Sequence, residues 1–93
     1  MPTPFAIEHQ PAQGRFQTRV DGARCEVDYT LHDGVMTITH TGVPRHLEGR
    51  GIAGALVLAA LDHARRQGLK VAPLCSYARA YMRRHPHTLS LLA

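Results

Sequence analysis

The segment LEGRGIAGALVLAALDHARRQGLK, residues 47–70, limits the possible folds more than any other part of the chain. From Ile52 it is apolar on nearly every side over almost three turns, which predicts a helix that lies against a sheet. The helix begins among Gly49, Gly51 and Gly54, although a glycine inside a helix costs about 1 kcal/mol relative to alanine. We infer that a backbone or an anion comes close to the start of this helix.

Three β-strands are predicted before the helix. They are rich in β-branched and aromatic residues, and they are the segments Arg15–Val20, Ala23–His32 and Val35–Thr41. The dipeptides Asp21-Gly22 and Asp33-Gly34 separate them, and Asp-Gly is typical of tight hairpin turns. The sequence therefore predicts an antiparallel meander. One face of the second strand is apolar and is expected to be buried, with Cys25, Val27, Tyr29 and Leu31.

The chain after the helix predicts one more strand and a short helix. Gly68 is a typical helix stop, and the apolar run LKVAPL is expected to pair in parallel with the third strand, because a helix connects the two. Ser76 can cap a second helix from Tyr77 to about His85, which Pro86 ends. The predicted fold is α/β (α+β), with an antiparallel meander, a long central helix, a splayed parallel strand and a short C-terminal helix.

Length and composition predict a single domain over residues 1–93. The chain is too short for two independent cores, and its 44% hydrophobic and 19% charged residues are typical of globular proteins. Residues 1–14 contain three prolines and predict a loosely ordered arm with one short edge strand around Ile7. Without a membrane-length apolar run or a secretory signal, we expect a cytoplasmic protein with no membrane contact and two free thiols.

The charge of the chain favours an anionic partner. The formal net charge is +4, and the chain lacks the basic stripe with interleaved aromatic residues that is typical of nucleic-acid binding. A phosphate-bearing small molecule is therefore favoured over nucleic acid. The seven histidines are scattered without zinc-ligand spacing, so no metal site is predicted.

The glycine-rich turn is the candidate phosphate site. Backbone N–H groups in the first turn of a helix have no intrahelical partner, and the helix dipole favours negative charge there. Glycines let a phosphate approach without meeting Cβ atoms. Alternatively, these small residues only allow the helix to pack closely on the sheet. The residues concerned are Gly49, Arg50, Gly51, Ile52, Ala53 and Gly54.

The element order together with three segments, GRGIAGAL, GLKVAPLC and RRHP, carries a family resemblance. The chain resembles the GNAT superfamily of acetyl-CoA-dependent N-acetyltransferases, above all its minimal single-domain members, over roughly residues 14–87. Antiparallel strands ahead of the glycines exclude a dinucleotide-binding unit. No Lys-Ser/Thr follows the glycines, which excludes a P-loop.

The resemblance implies how acetyl-CoA would bind. The backbones of Thr41 and Val43 would pair with the pantetheine arm, and the Val43 N–H would polarise the acetyl carbonyl. The superfamily pattern Gln/Arg-x-x-Gly-x-Gly/Ala falls on residues 48–53, where the two small positions match and Glu48 departs from the pattern. The basic side of the second helix would hold the 3′-phosphate of CoA or form only a solvated face, and it consists of Arg79, Arg83, Arg84 and His85.

The resemblance also implies a role for Cys75, which ends the last strand just before a helix N-terminus. The positive end of a helix dipole can lower the pKa of a thiol. Members of the minimal subfamily carry a cysteine at this place, so Cys75 would act as an acid or as an acyl acceptor beside the CoA sulfur. The alternative is a small buried apolar residue without chemistry.

Two further groups are needed for acyl transfer, a base for the amine and a proton donor for the thiolate. Subfamily members often carry a glutamate immediately before the position of Val43, where this chain has Gly42. His40 or Glu48 could replace that base, although His40 is also read as an ordinary hydrogen-bonded strand histidine. Larger relatives use a tyrosine as the proton donor. Tyr81 is the candidate next to that position; otherwise it packs, with Tyr77, over the sheet edge.

The expected function is transfer of an acetyl group from acetyl-CoA to a primary amine by direct attack in a ternary complex. Positioning and polarisation of the carbonyl would contribute most of the catalysis. We expect an open acceptor site that suits an amine on a protein or other macromolecule, or a pocket completed by a second subunit in a homodimer. The alternatives are a CoA-binding module with little transferase activity, and a basic domain that binds nucleic acid or acidic proteins.

Overall fold

The fold is a five-stranded sheet whose strands lie side by side in sequence order. The computed structural model describes residues 4–93, and the strands are β1 Glu8–Gln10, β2 Arg15–Val20, β3 Ala23–His32, β4 Val35–Gly42 and β5 Lys70–Pro73. Neighbouring strands are antiparallel up to β4, and β4 pairs with β5 in parallel. The helices are α1 Ile52–Arg66 and α2 Ser76–Arg84. This arrangement confirms the predicted α+β class.

Two Asp-Gly turns connect the long strands. Both residues of each turn have positive φ, with values of 52° and 79° at Asp21 and Gly22 and of 50° and 77° at Asp33 and Gly34. Positive φ at both central residues is the type I′ conformation, whose twist matches that of the flanking strands. The turns therefore fix the register on both sides, and both predicted hairpins are present.

The N-terminal segment is more regular than its prolines predict. Residues 1–3 of the predicted arm lie outside the described residues, but β1 pairs with β2 just after Ile7, and a 3₁₀ turn follows over Pro11–Gln13. Gly14 ends this turn at φ 65°, and its carbonyl accepts a hydrogen bond of 2.8 Å from the Tyr29 N–H. The ring of His9 stacks on Phe16 with centroids 4.0 Å apart, which holds β1 against the sheet.

A β-bulge at Thr39 changes which side chains of β4 face the helices. Asp28 lies opposite His40 and Tyr29 lies opposite Ile38, so Thr39 is an extra residue in the pairing of β3 with β4. Strict alternation after buried Ile38 would turn His40 toward α1. Instead Thr41, opposite buried Val27, lies on that face, and His40 is exposed on the other.

The core lies between the sheet and α1, and it also includes Ala78 and Met82 of α2. The predicted apolar face of β3 is buried at Cys25, Val27 and Tyr29, but Leu31 is 54% exposed, which corrects that part of the prediction. The reason is the length of β2, whose pairing with β3 ends at Asp28, so that Leu31 extends beyond its neighbour on that side.

Gly14→Ala is expected to destabilise the protein more than Gly22→Ala. Both positions have positive φ, which costs an alanine about 1–2 kcal/mol. A Cβ at Gly14 would also collide with the carbonyl oxygen of Tyr29, whereas nothing lies within 4 Å of a Cβ at Gly22. Urea unfolding of the two variants measures the difference, and equal free energies of unfolding would contradict this close approach.

Candidate functional site: a cleft between β4 and the start of α1

The cleft exists because β5 leaves β4 before β4 ends. The parallel pairing stops at Ile38 and Pro73, while β4 continues to Gly42. The Leu74 N–H turns back to the carbonyl of Ala72 at 3.1 Å, and the Cys75 N–H then donates to the Ile38 carbonyl at 3.0 Å. The last residues of β4 therefore have an edge free of β5, as predicted for the splayed strand.

The glycine loop adopts a conformation that requires glycine at two positions. Gly49 has φ 84°, and Gly51 has φ 83° as the residue that caps α1. The first helical hydrogen bond runs from the Ala55 N–H to the Gly51 carbonyl at 3.1 Å. The N–H groups of residues 52–54 precede that bond and point toward the N-terminal end of the helix, where an anion is stabilised.

A cavity of about 470 Å³ extends from this loop to Val43, the residue directly after β4. Five residues predicted to bind the cofactor line it: Val43, Gly49, Gly51, Ile52 and Ala53. Leu47, Glu48 and Tyr77 complete the lining. Glu48 is exposed, so its carboxylate adds negative charge at a site whose backbone favours an anion.

Arg50 and Gly54, which were also predicted to bind the cofactor, are not among the residues that line this cavity. The guanidinium of Arg50 donates to the Asp21 carboxylate at 2.9 Å, which ties the glycine loop to the β2–β3 turn. A Cβ at Gly54 would lie 3.4 Å from the Tyr77 hydroxyl and 3.7 Å from the Tyr81 ring. The absence of a side chain at Gly54 thus leaves room for α2 against α1.

Cys75 lies where the end of β4 meets the start of α2. Its sulfur is 3.3 Å from the Thr41 hydroxyl. Burial raises the pKa of the Cys75 thiol, but hydrogen bonds to the sulfur from the Thr41 hydroxyl and from the N–H groups of Ala78, Tyr77 and Thr41 outweigh it and lower the pKa. The lowering of the thiol pKa that the sequence predicts therefore comes in part from N–H groups in the first turn of α2.

The structure separates His40 from Cys75. Because of the bulge, His40 lies on the sheet face opposite α1, where Nε2 is 3.2 Å from Oε2 of Glu26. Glu26 was not singled out by any sequence pattern. Its proximity to the end of β4 follows only from the cross-strand register, in which Glu26 lies opposite Gly42.

The two tyrosines of α2 have different surroundings. Tyr77 lines the cavity and is 37% exposed. Tyr81 stacks on His85 with centroids 4.1 Å apart, and burial, followed by the neighbouring Tyr77 and Asp62, raises the pKa of its phenol. A raised pKa keeps a phenol protonated, which is the form that can donate a proton. Of the two, the residue at the cavity wall is Tyr77, which was predicted only to pack with Tyr81 over the sheet edge.

The remaining predicted site residues lie on the surface. Arg83 and Arg84 are exposed at the end of α2, and Arg79 donates to the Leu74 carbonyl at 3.1 Å. Met82, the residue after Tyr81, is buried in the core. Within residues 4–93, no group of three or more potential ligands could hold a metal ion, and no helix is long and apolar enough to span a membrane.

Comparison with known proteins decides the family. A family model described as GCN5-related N-acetyl-transferase matches residues 15–91. The chain belongs to this family. NATD1 from Mus musculus and NATD1 from Homo sapiens are each 33% identical to it over 89% of the chain, covering 78% and 76% of those proteins.

Solved structures place this family member among known folds. The solution structure of a GCN5-like protein from Staphylococcus aureus superposes with a TM-score of 0.76 and 26% identity, over 99% of this chain and 91% of that one. The agreement in both sequence and fold shows that the chain is a GCN5-related N-acetyltransferase domain.

Thr41→Val is expected to raise the pKa of Cys75, because valine removes a hydroxyl that donates to the thiolate. The rate of alkylation by iodoacetamide, followed by mass spectrometry as a function of pH, should have its midpoint at higher pH than in the wild type. Thr39→Val is the control on the same strand, since the Thr39 hydroxyl donates to the Asp28 carbonyl instead. An unchanged midpoint in Thr41→Val would contradict this assignment.

Proposed function

We propose that this chain transfers the acetyl group of acetyl-CoA to a primary amine by direct attack in a ternary complex. One observation carries the proposal: a cavity is lined both by Val43, the residue directly after β4, and by the glycine loop and first turn of α1. The backbone next to Val43 is suited to bind an extended amide-containing arm. The N-terminal end of α1 is suited to bind a pyrophosphate. Family membership supports acyl transfer as the reaction class.

The residues that line the cavity fit acetyl-CoA. Gly49 and Gly51 present backbone without side chains, and the N–H groups of residues 52–54 would donate to the pyrophosphate oxygens. Val43 lies at the open end of β4, where its N–H would polarise the acetyl carbonyl. The bound thioester supplies the activated acetyl group. The exposed carboxylate of Glu48 opposes the phosphates and limits affinity.

The acceptor proposed here is an amine on an extended molecule such as a protein. The end of β4 is bordered by exposed residues rather than by an enclosed pocket, since Thr39, His40 and Leu74 are all exposed. An enclosed small-molecule pocket on the acceptor side would require walls that residues 4–93 do not provide. The second candidate, a binding module without turnover, is favoured by the absence of any side chain at Gly42.

Ala53→Glu is expected to reduce the affinity for acetyl-CoA by at least about tenfold, because a carboxylate would face the phosphates in the cavity. Glutamate is well tolerated in a first helical turn, so the fold should persist. Isothermal titration calorimetry measures the affinity. Ala55→Glu, with the same charge change in α1 outside the cavity lining, is the matched control.

Thiol release from acetyl-CoA, measured with lysine-containing peptides, tests the transfer itself. If the wild type binds no acetyl-CoA, the whole proposal fails. If it binds acetyl-CoA and releases no thiol with any peptide, the chain is a binding module.

Asp21→Asn is expected to increase the affinity for acetyl-CoA by at most about fivefold, because an exposed ion pair of this kind is worth only about 0–1 kcal/mol. Without the Asp21 carboxylate, Arg50 is free to face the pyrophosphate. The gain should shrink as salt is added. Asp33→Asn changes the same position of the other hairpin turn and should have no effect. A loss of affinity in Asp21→Asn would show that the pair orients Arg50 for binding.

A further inference from the structure

Two titratable side chains converge over the last residue of β4. Gly42 has no side chain, and a Cβ added there would collide with Oε2 of Glu26 and lie 2.8 Å from Nε2 of His40. Glu26 is the partner of Gly42 on β3, and its side chain is only 15% exposed. A carboxylate and an imidazole from neighbouring positions therefore fill the space that a side chain at position 42 would occupy.

The contact between these two groups favours one tautomer of His40. Nε2 lies 3.2 Å from Oε2 of Glu26, and an ionised carboxylate can only accept a hydrogen bond. The tautomer with its proton on Nε2 donates to this carboxylate and leaves the lone pair of Nδ1 available to accept another proton. The His40 side chain is 56% exposed, so a second molecule can reach the ring.

The charged groups around His40 come from β2 and β3, and each carboxylate among them is paired with an arginine. Arg24 donates to Oε1 of Glu26 at 3.2 Å. Asp28 lies opposite His40 in the sheet, and Arg15 holds its carboxylate at 2.7 Å. Each carboxylate next to the imidazole thus has its own arginine, and neither is left as an uncompensated charge.

We propose that His40 accepts the proton of the acceptor amine, and that Glu26 is a positioning residue that holds the tautomer and orientation of the imidazole. This inference rests on the proposed function. Gly42 is bonded directly to Val43, which lines the cavity. The pair therefore stands one residue from the backbone beside which the acetyl group would lie, on the sheet face opposite Cys75 and Thr41.

The proton balance of the reaction defines what His40 must do. An ammonium has no lone pair, so one proton passes from the amine nitrogen to Nδ1 of His40 before attack. The C–N bond then forms at the thioester carbonyl carbon as the C–S bond breaks. The nitrogen loses its second proton to the departing sulfur, and the proton on His40 passes to solvent. The orienting role of Glu26 is the one a carboxylate has in a catalytic triad.

The rates with two different nucleophiles show whether His40 acts as a base or has only a structural role. We compare thiol release from acetyl-CoA with a peptide that contains one lysine and with hydroxylamine, which is largely uncharged at neutral pH and needs no base. His40→Gln is expected to lower kcat for the peptide by about 100-fold. Its rate with hydroxylamine and its Kd for acetyl-CoA should match the wild type. His32→Gln, which removes a histidine 3.1 Å from the Asp33 carboxylate in an exposed turn, is the matched control and should keep wild-type rates.

A relocated carboxylate tests the positioning role of Glu26. Glu26→Ala should lower kcat for the peptide less than His40→Gln does, and it should leave the rate with hydroxylamine unchanged. The double variant with Glu26→Ala and Gly42→Glu should recover most of that rate, because the new carboxylate enters the space that Glu26 leaves. Adding His40→Gln to this double variant should abolish the recovery, since a carboxylate that only positions the imidazole cannot act without it; recovery without His40 would overturn His40 as the base. Failure of the double variant to recover would overturn the role of Glu26.

The outcomes separate this inference from the proposed function. An unchanged peptide rate in His40→Gln, or equal losses with both nucleophiles, overturns His40 as the base while the transferase function stands. A wild type that binds acetyl-CoA and acetylates neither nucleophile overturns the transfer and the base together. A wild type that binds no acetyl-CoA overturns the proposed function at its first step.

Discussion

The early end of the parallel pairing between β4 and β5 determines the rest of the structure. A parallel neighbour requires a crossover connection, and α1 provides it, which places the start of α1 beside the end of β4. Pro73 has no N–H to donate, and beyond it the Cys75 N–H donates to the Ile38 carbonyl rather than to a later residue of β4. The free edge of β4 and the N-terminal end of α1 are therefore brought together by the same connection, and each side of the cleft depends on the other.

Most of the elements could be predicted from sequence because their signals are local. The Asp-Gly turns and the alternation of apolar residues gave the bounds of β2 and β3, and Gly68 marked the end of α1. The bulge at Thr39 could not be predicted, since threonine is common in strands and nothing in the sequence marks an extra residue. For that reason the sequence could propose His40 for the site without showing which face of the sheet it occupies.

Side chains that depend on distant partners were the part of the site that sequence could not supply. Glu26 reaches the end of β4 only through the register of two strands. Arg50 was expected at the phosphate site, but an aspartate in a turn 29 residues earlier holds it. The glycines show the same limit: Gly49 and Gly51 serve backbone conformation, whereas Gly54 serves the contact between two helices. Glycines of the same loop therefore have different structural roles, and the sequence pattern does not distinguish them.

The arrangement of the sheet has a consequence for the order of folding. The β2–β3 and β3–β4 hairpins join residues that are close in sequence, so the entropy lost in closing their loops is small. The pairing of Val35 with Lys70 must close a much longer loop, and contacts of that kind slow folding. We therefore expect the cleft to form after the meander. A ligand that bridges β4 and α1 would bind only the completed state. It would therefore stabilise the state in which this long loop is closed.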